Sequence, residues 1–289
     1  GTLWAWGENT AGQLGDSTNV NRNSPVRIGT DNNWVSIAAG DAHTLALKSN
    51  GTIWTWGSNQ YGELGNGTTN YSNRPVQTGT ETKWVSIAAG SYHNLALKSN
   101  GTLYGWGRNS SANLGDGTQT DRNTPVQAGN NNDWIFINAG GENSNGINTE
   151  GGLIVWGSNA YGQFGNNFTI GSNNPVLVGY LMQCISVKSG VGHTFHLRQT
   201  KDFICCSGLN NYGQLGIASI INQKVYNCNT VCEHPAAKGG PNKVICFGDS
   251  TTIGVDSIIR NIYSWVSDPP GFTSNRARPV VTPKNSLWT

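Results

Sequence analysis

The pattern of apolar and polar residues repeats along the chain about every fifty positions. Gly1-Thr-Leu-Trp-Ala-Trp-Gly7 returns at residues 51–57 and 101–107 and, altered, at 151–157. In each copy apolar residues occupy both faces of a short alternating segment, which predicts a strand in a sheet that lies between two other sheets. Such a unit cannot bury its faces alone, so the repeat predicts β-sheets that pack face to face.

Four strands are predicted in each unit. Residues 35–39 and 44–47 form two of them, and Asn50-Gly51 is a strong hairpin signal that leads into a third. The fourth strand, near residues 25–28, carries Pro25, which has no N–H for a ladder and is typical of a sheet edge. Four strands with a proline-bearing outer edge predict an all-β propeller blade.

Counting these strands gives five complete blades and a flanking N-terminal half blade, in a ring of six or seven positions. We expect a single domain over residues 1–289, with regular repeats over 1–200 and diverged, cysteine-containing repeats over 201–289. The half blade needs two inner strands, which would come from a longer parent chain or another protomer, or would be missing from an imperfectly closed ring. The predicted complete blades span residues 34–80, 84–130, 134–180, 184–240 and 243–283.

Several motifs carry a family resemblance. They are Gly-Thr-Leu-Tyr-Gly-Trp-Gly at 101–107, Gly-Gln-Leu-Gly at 12–15, Arg-Asn-Thr-Pro-Val at 122–126, and Ala-Ala-Gly-x-x-His-x-Leu-Ala-Leu at 38–47. Together they resemble the regulator of chromosome condensation repeat. The resemblance implies a β-propeller, commonly of seven blades, and it brings in guanine-nucleotide exchange on a Ran-like GTPase as one function of the family.

The aromatic and imidazole side chains that recur at fixed stations are predicted to be structural. We expect the tryptophans to pack between blades and the histidines to be buried hydrogen-bonding residues that tie adjacent blades together. The predicted core consists of Trp4, Trp6, Trp34, Trp54, Trp56, Trp84, Trp106, Trp134, Trp156, His43, His93 and His193.

Charge and composition limit the partners. Charged residues make up 12% of the chain and the formal net charge is +2. No basic patch is available for phosphates, so nucleic acid is not an expected partner, and no apolar run reaches the length of a membrane span. Turns rich in Asn, Thr, Ser and Gly favour a secreted or cell-surface protein. The candidate glycosylation sites are Asn66, Asn70, Asn109 and Asn167.

All six cysteines lie after residue 183. Cys228 and Cys232 are the candidate disulfide pair, and free thiols remain an alternative. Cys228, Cys232 and His234 would open a zinc site only with further ligands, which the local spacing does not supply. The other four cysteines, Cys184, Cys205, Cys206 and Cys246, fall on predicted strands.

The chemistry-bearing motifs each have a structural interpretation that we favour. Residues 244–254, which contain Ser250, are similar to the nucleophile segment of SGNH-type esterases, but no histidine follows Ser250 to activate it. Asp16 and Asp116 follow Leu-Gly and are expected to form turns, since no calcium-binding loop pattern surrounds them. We therefore predict no catalytic residue, no cofactor and no metal site.

The function predicted from the sequence is a non-catalytic protein-interaction or structural scaffold module that binds its partner through blade-top loops. The loops near 109–119, 143–149 and 217–238 vary most between copies and are the expected binding region. Three alternatives remain. They are a self-assembling subunit of an extracellular filament or coat, completed by strand exchange between identical subunits; a carbohydrate-binding propeller; and an exchange factor for a Ran-like GTPase.

Overall fold

The structure is a computed structural model that describes residues 1–179, 183–199 and 203–230, together with four two-residue strands beyond residue 250. No helix occurs among the described residues, which confirms the all-β prediction. The chain divides into two compact units, Gly1–Cys228 and Asn229–Thr289. The prediction of one domain over 1–289 stays a prediction.

The first unit begins with a two-stranded antiparallel sheet and continues with four four-stranded antiparallel sheets, or blades. In each blade the four strands follow one another in chain order, as the hairpin signals predict. The two-stranded sheet consists of β1 (Trp4–Gly7) and β2 (Arg22–Arg27). The first blade consists of β3 (Trp34–Ala39), β4 (His43–Lys48), β5 (Ile53–Gly57) and β6 (Ser72–Gln77). The second consists of β7 (Trp84–Ala89), β8 (His93–Lys98), β9 (Leu103–Gly107) and β10 (Arg122–Gln127). The third consists of β11 (Trp134–Ala139), β12 (Asn143–Asn148), β13 (Leu153–Gly157) and β14 (Ser172–Gly179). The fourth consists of β15 (Cys184–Ser189), β16 (His193–Arg198), β17 (Phe203–Gly208) and β18 (Gln223–Thr230).

The described residues of the second unit form two short antiparallel pairs. β19 (Thr251–Thr252) pairs with β22 (Val280–Val281), and β20 (Trp265–Val266) pairs with β21 (Thr273–Ser274). The predicted fifth blade at 243–283 falls in this unit. Most of that segment lies outside the described residues, so the fifth blade stays a prediction.

The core of the first unit lies between neighbouring blades. One apolar cluster joins Leu45, Leu47 and Ile53 of the first blade to Trp84 and Trp106 of the second. Equivalent clusters join the second blade to the third and the third to the fourth. Both faces of the second and third blades are therefore buried, which is why their strands are apolar on both sides.

Two of the predicted core tryptophans are exposed. Trp56, Trp106 and Trp156 are fully buried, but the equivalent Trp6 is 62% exposed and Trp4 is 50% exposed. The reason is that β1 belongs to the two-stranded sheet, and no described blade lies in front of it to cover the rings. The remaining predicted tryptophans are buried except Trp54, which is half-buried.

One predicted binding loop is a strand. Residues 143–148 form β12, and every residue in it is buried. Its asparagines and glycine suggested a loop, but Asn145 accepts a hydrogen bond from Asn138 and donates one to Ser189 Oγ of the next blade. Because these side-chain amides are paired, polar residues can take apolar positions in the sheet.

Candidate interaction face

A buried asparagine organises the long loop after the third strand of each blade. In the first blade Asn59 Oδ1 accepts from the N–H of Leu64, while Nδ2 donates to the carbonyls of Thr68 and Asn70, at 2.8 to 3.0 Å. This one side chain replaces several backbone partners and fixes the loop as a rigid unit. Equivalent bonds are made by Asn9, Asn109, Asn159 and Asn210. These asparagines recur every 50 or 51 residues along the chain, but their shared role is visible only in the structure.

The burial of Asn109 contradicts its prediction as a glycosylation site. Asn109 is fully buried, and its Nδ2 donates to Asp116 and to the carbonyls of Thr118 and Thr120. An amide nitrogen that is buried and fully bonded cannot carry a glycan. Of the other candidates, Asn70 and Asn167 are exposed and Asn66 is half-buried, so their modification stays a prediction.

Main-chain carbonyls in these loops receive two hydrogen bonds from the next blade. The carbonyl of Glu63 accepts from Trp106 Nε1 at 2.9 Å and from Asn94 Nδ2 at 2.7 Å. In the same way, the carbonyl of Gln13 accepts from Trp56 Nε1 and Thr44 Oγ1. The carbonyl of Asn113 accepts from Trp156 Nε1 and Ser144 Oγ. Each buried indole therefore positions the loop of the preceding blade as well as filling the core.

The histidines continue this bonding across the blades. His43 Nε2 donates to Asn94 Oδ1 at 2.8 Å, and His93 Nε2 donates to Ser144 Oγ at 2.9 Å. Burial lowers the pKa of both histidines, to about 3 for His93. Gly90 lies so close to His93 that an added Cβ would overlap the ring. The third predicted member, His193, is half-buried and contacts Phe195 edge-on.

The ends of the blades at these loops form an aromatic and charged surface, which we call the turn face. It is defined by Tyr61, Tyr92, Arg108, Ser111, Glu142 and Tyr161. The rings of Tyr61 and Tyr92 meet edge to face at 5.7 Å, and the Arg108 guanidinium lies 5.2 and 5.6 Å from their centres. Arg108 also lies 3.7 Å from a Glu142 carboxylate oxygen. These side chains hold each other in place while they stay partly exposed.

Toward the fourth blade the same surface becomes more exposed and more apolar. Tyr161 is 42% exposed and Tyr212, at the equivalent station one blade later, is 87% exposed. Val191, in the turn before β16, is also exposed. The loop near 109–119 that the sequence singled out contributes Ser111, which donates to Glu142. The remaining predicted loop, 217–238, is described as far as residue 230, and its residues 223–230 form β18, so that part of the loop prediction is wrong.

The acidic residues considered for calcium are bound within the protein. Asp16 pairs with Arg22 and accepts from Thr18, and Asp116 pairs with Arg122 and accepts from Thr118. Each aspartate therefore fixes its own loop, which is the turn-forming role that the sequence favoured.

The cysteine pairing differs from the prediction. Cys228 forms its disulfide with Cys205 of the neighbouring strand, so the predicted partner Cys232 is wrong. Adjacent strands bring the two residues together across a sequence separation of 23, which spacing along the chain could not reveal. Cys184 and Cys206 are buried free thiols. Cys232, His234, Cys246 and Ser250 lie outside the described residues.

Four-stranded antiparallel blades that pack face to face in chain order define a β-propeller. The family model of the regulator of chromosome condensation (RCC1) repeat matches residues 1–47, 50–97, 100–144 and 150–197, and a second RCC1 repeat model matches 34–63 and 84–112. The chain therefore belongs to the RCC1 repeat family.

Solved propellers share this fold. Human WBSCR16 matches with a TM-score of 0.69 at 23% identity, over 78% of this chain and 61% of that one. Yeast RCC1 (Prp20) bound to Kap60 matches with a TM-score of 0.68 at 21% identity, over 78% of this chain and 56% of that one. Prp20p from Saccharomyces cerevisiae matches with a TM-score of 0.69 at 20% identity, over 79% of this chain and 59% of that one. The chain thus spans between 56% and 61% of the length of these structures.

A comparison with curated proteins finds no match. Within the part of the chain that the structure describes, no helix has the length and apolar character needed to cross a bilayer.

Proposed function

We propose that this chain is a non-catalytic protein-interaction module that binds a protein partner through the turn face. The observation that carries the proposal is the cluster of Tyr61, Tyr92 and Arg108, which is partly exposed and held by ring and charge contacts. Tyrosine and arginine are the residue types that most often dominate binding energy at protein interfaces. A cluster that is ordered before binding loses little side-chain entropy when a partner covers it.

The loop architecture supports the same proposal. The buried asparagines and the inter-blade carbonyl bonds fix the loops from below, so side chains on the outer surface are free to serve recognition. The yeast relatives in the comparison are described with protein partners, Kap60 in one case and Gsp1p and histones in another. Those partners belong to Prp20; for this chain they support only a partner of the protein class.

A site-specific crosslinking experiment tests the proposal. A photoreactive phenylalanine analogue is placed at Tyr92 on the turn face and, as a control, at exposed Lys83, which lies at the opposite ends of the strands. We expect a discrete crosslinked protein from the Tyr92 position alone. That protein is then purified and its direct binding to the chain is measured.

The binding measurement uses alanine variants. Tyr92→Ala and Arg108→Ala should each raise the dissociation constant about tenfold or more, which corresponds to a loss of about 1.4 kcal/mol of binding free energy. Lys83→Ala removes an exposed positive charge at the opposite ends of the strands and should leave the affinity unchanged. Equal crosslinking at both positions, or equal affinity of all three variants, would contradict the proposal.

We also propose that the protein works outside the cell or at its surface. The Cys205–Cys228 disulfide and the exposed sequons at Asn70 and Asn167 support this location, because both features fit an oxidising, glycosylating compartment. Peptide mass analysis of the native protein tests it: glycan at Asn70 or Asn167, with none at Asn109, is the expected result. Unmodified peptides at both Asn70 and Asn167 would contradict it.

Self-assembly, carbohydrate binding and guanine-nucleotide exchange stay as alternative predictions. The mass of the native particle tests the first, since strand exchange requires regular oligomers. Binding to a glycan array tests the second. Release of nucleotide from a Ran-like GTPase, measured with and without the chain, tests the third.

A further inference from the structure

One row of side chains crosses the fourth blade with a composition that none of the other three described blades has. His196 of β16 lies directly opposite Cys205 of β17 in the strand ladder, and Cys205 is bonded to Cys228 of β18. A ring nitrogen of His196 and the two sulfur atoms all lie within 4.8 Å of one another. One imidazole nitrogen and the two sulfur atoms of the disulfide therefore meet at one point of the sheet.

The equivalent rows in the first three blades contain no such set. The first blade has Ala46, Trp54 and Gln77 in this row, and the second has Ala96, Tyr104 and Gln127. The third blade has Gly146, Ile154 and Leu177. The disulfide accounts for the two cysteines of this row, but it does not account for the histidine beside them.

The state of His196 is a second and independent observation. Its side chain is only 2% exposed, yet neither ring nitrogen has a hydrogen-bond partner among the described residues. The Tyr226 ring lies perpendicular to it at 4.4 Å and covers one side. His43 and His93, by contrast, each donate from Nε2 to the next blade. A buried imidazole with no partner is costly, and a bound metal ion would use one of its nitrogens.

We propose that reduction of the Cys205–Cys228 disulfide creates a Zn²⁺ site made of two thiolates and the His196 imidazole. Zn²⁺ binds thiolate sulfur at about 2.3 Å and imidazole nitrogen at about 2.0 Å, so its tetrahedral ligands lie about 3.5 to 3.8 Å apart. Once the S–S bond is broken, the two sulfurs need to separate by only about 2 Å to reach this spacing. Cys228 is at least partly exposed, which gives the ion a route from solvent.

The reaction balances with a dithiol as the reductant. The dithiol transfers two electrons and two protons to the disulfide, becomes a disulfide itself, and leaves Cys205 and Cys228 as thiols. Zn²⁺ then displaces one proton from each thiol and binds the neutral imidazole. Three protein ligands leave a fourth coordination position, as in zinc sites that are open to water. The blade thus has two crosslinked states, one covalent and one through the metal.

Cobalt titration of the purified protein tests the site. After reduction under anaerobic conditions, Co²⁺ should bind with a stoichiometry of one per chain and give thiolate-to-metal charge-transfer absorption together with the visible bands of a tetrahedral ion. Zn²⁺ should then bleach both. The same protein with its disulfide intact is the folded control, and we expect no thiolate band from it.

Variants identify the ligands. His196→Asn, Cys205→Ser and Cys228→Ser should each weaken Co²⁺ binding, and the two serine variants should lose about half or more of the charge-transfer intensity, since one of two thiolates is gone. Cys184→Ser and Cys206→Ser remove other buried thiols of the same blade and should change nothing. Cys232→Ser should also leave binding intact.

Three results would overturn the proposal. The first is reduced wild-type protein that shows no thiolate band. The second is a spectrum that survives His196→Asn unchanged. The third is loss of the site in Cys232→Ser, which would move the metal to the ligands that the sequence alone considered.

Discussion

At the scale of single residues, the histidines show how burial decides chemistry. His93 is fully buried, its Nε2–H is used by Ser144, and its pKa is lowered by burial to about 3. The imidazole is therefore neutral throughout the physiological range and works as a bond between blades. A histidine in this state donates one structural hydrogen bond and does not change its protonation state near neutral pH.

The burial of His93 predicts a dependence of stability on pH. Its folded pKa lies below the unfolded value of about 6.5, so the unfolded state binds more protons below that pH and the free energy of unfolding falls as pH is lowered from about 6.5 toward 3. At pH 5 this one residue should cost about 2 kcal/mol relative to pH 7.5. His93→Asn, which copies the residue found at Asn143, should flatten the dependence by that amount in urea unfolding.

The matched control is His193→Asn, because His193 is half-buried and should contribute a smaller change. His43 and His196 keep their own contributions in both variants, so some slope remains. An identical pH dependence in wild type and His93→Asn would contradict the assignment of a neutral, buried His93.

What the sequence could predict at this scale depended on how rare a residue is. Tryptophans and histidines stand out at fixed stations, so their periodicity was evident, although only the structure showed that Trp4 and Trp6 are exposed. Asn59 and its equivalents repeat just as regularly, but asparagine is so common in the turns that the column was hidden. The Cys205–Cys228 pairing depends on contact between strands, and six cysteines allow many pairings.

At the scale of the elements, the loop carbonyls make each blade dependent on the next. Trp106 of β9 donates its indole N–H to Glu63 O in the preceding blade, beside the bond from Asn94. Strand positions were predictable because proline and Asn-Gly mark edges and hairpins. β12 was not, because its composition of asparagine, serine and glycine is typical of a loop although its backbone pairs on both sides.

Removing one indole N–H should therefore weaken the contact between two blades. Trp106→Phe keeps an aromatic ring but leaves Glu63 O with a single donor and opens a small cavity, and we expect a loss of about 2 kcal/mol in urea unfolding. Trp54→Phe is the control, since Trp54 is half-buried and donates to Thr52 within its own hairpin. A loss under about 1 kcal/mol is expected there. Equal losses would show that the inter-blade bond adds nothing.

At the scale of the whole first unit, stability is the sum of the contributions from contacts between neighbouring blades. Apolar clusters and hydrogen bonds join each blade to the next, and no single centre holds all of them. Such arrays can open one repeat at a time. The disulfide lies within the fourth blade, so its effect should be local.

Reduction in the presence of a chelator should selectively loosen the fourth blade. Opening a crosslink with a sequence separation of 23 should cost about 3 kcal/mol, so amide exchange in β17 and β18 should quicken on the order of 100-fold. β3 to β6 in the first blade serve as the internal reference and should exchange as before. Uniform acceleration across all blades would mean that the array unfolds as one cooperative unit.

The use of a backbone oxygen as the acceptor between blades bears on how such a protein can diverge. The residues that supply it are Gln13, Glu63 and Asn113, three different side chains, because every residue type has a carbonyl to offer. A lineage can therefore change the residue type at these positions while the main-chain bonds between blades keep their geometry. Because Glu63 and Asn113 are buried, such changes are limited by the space inside the loop and not by the bond between the blades.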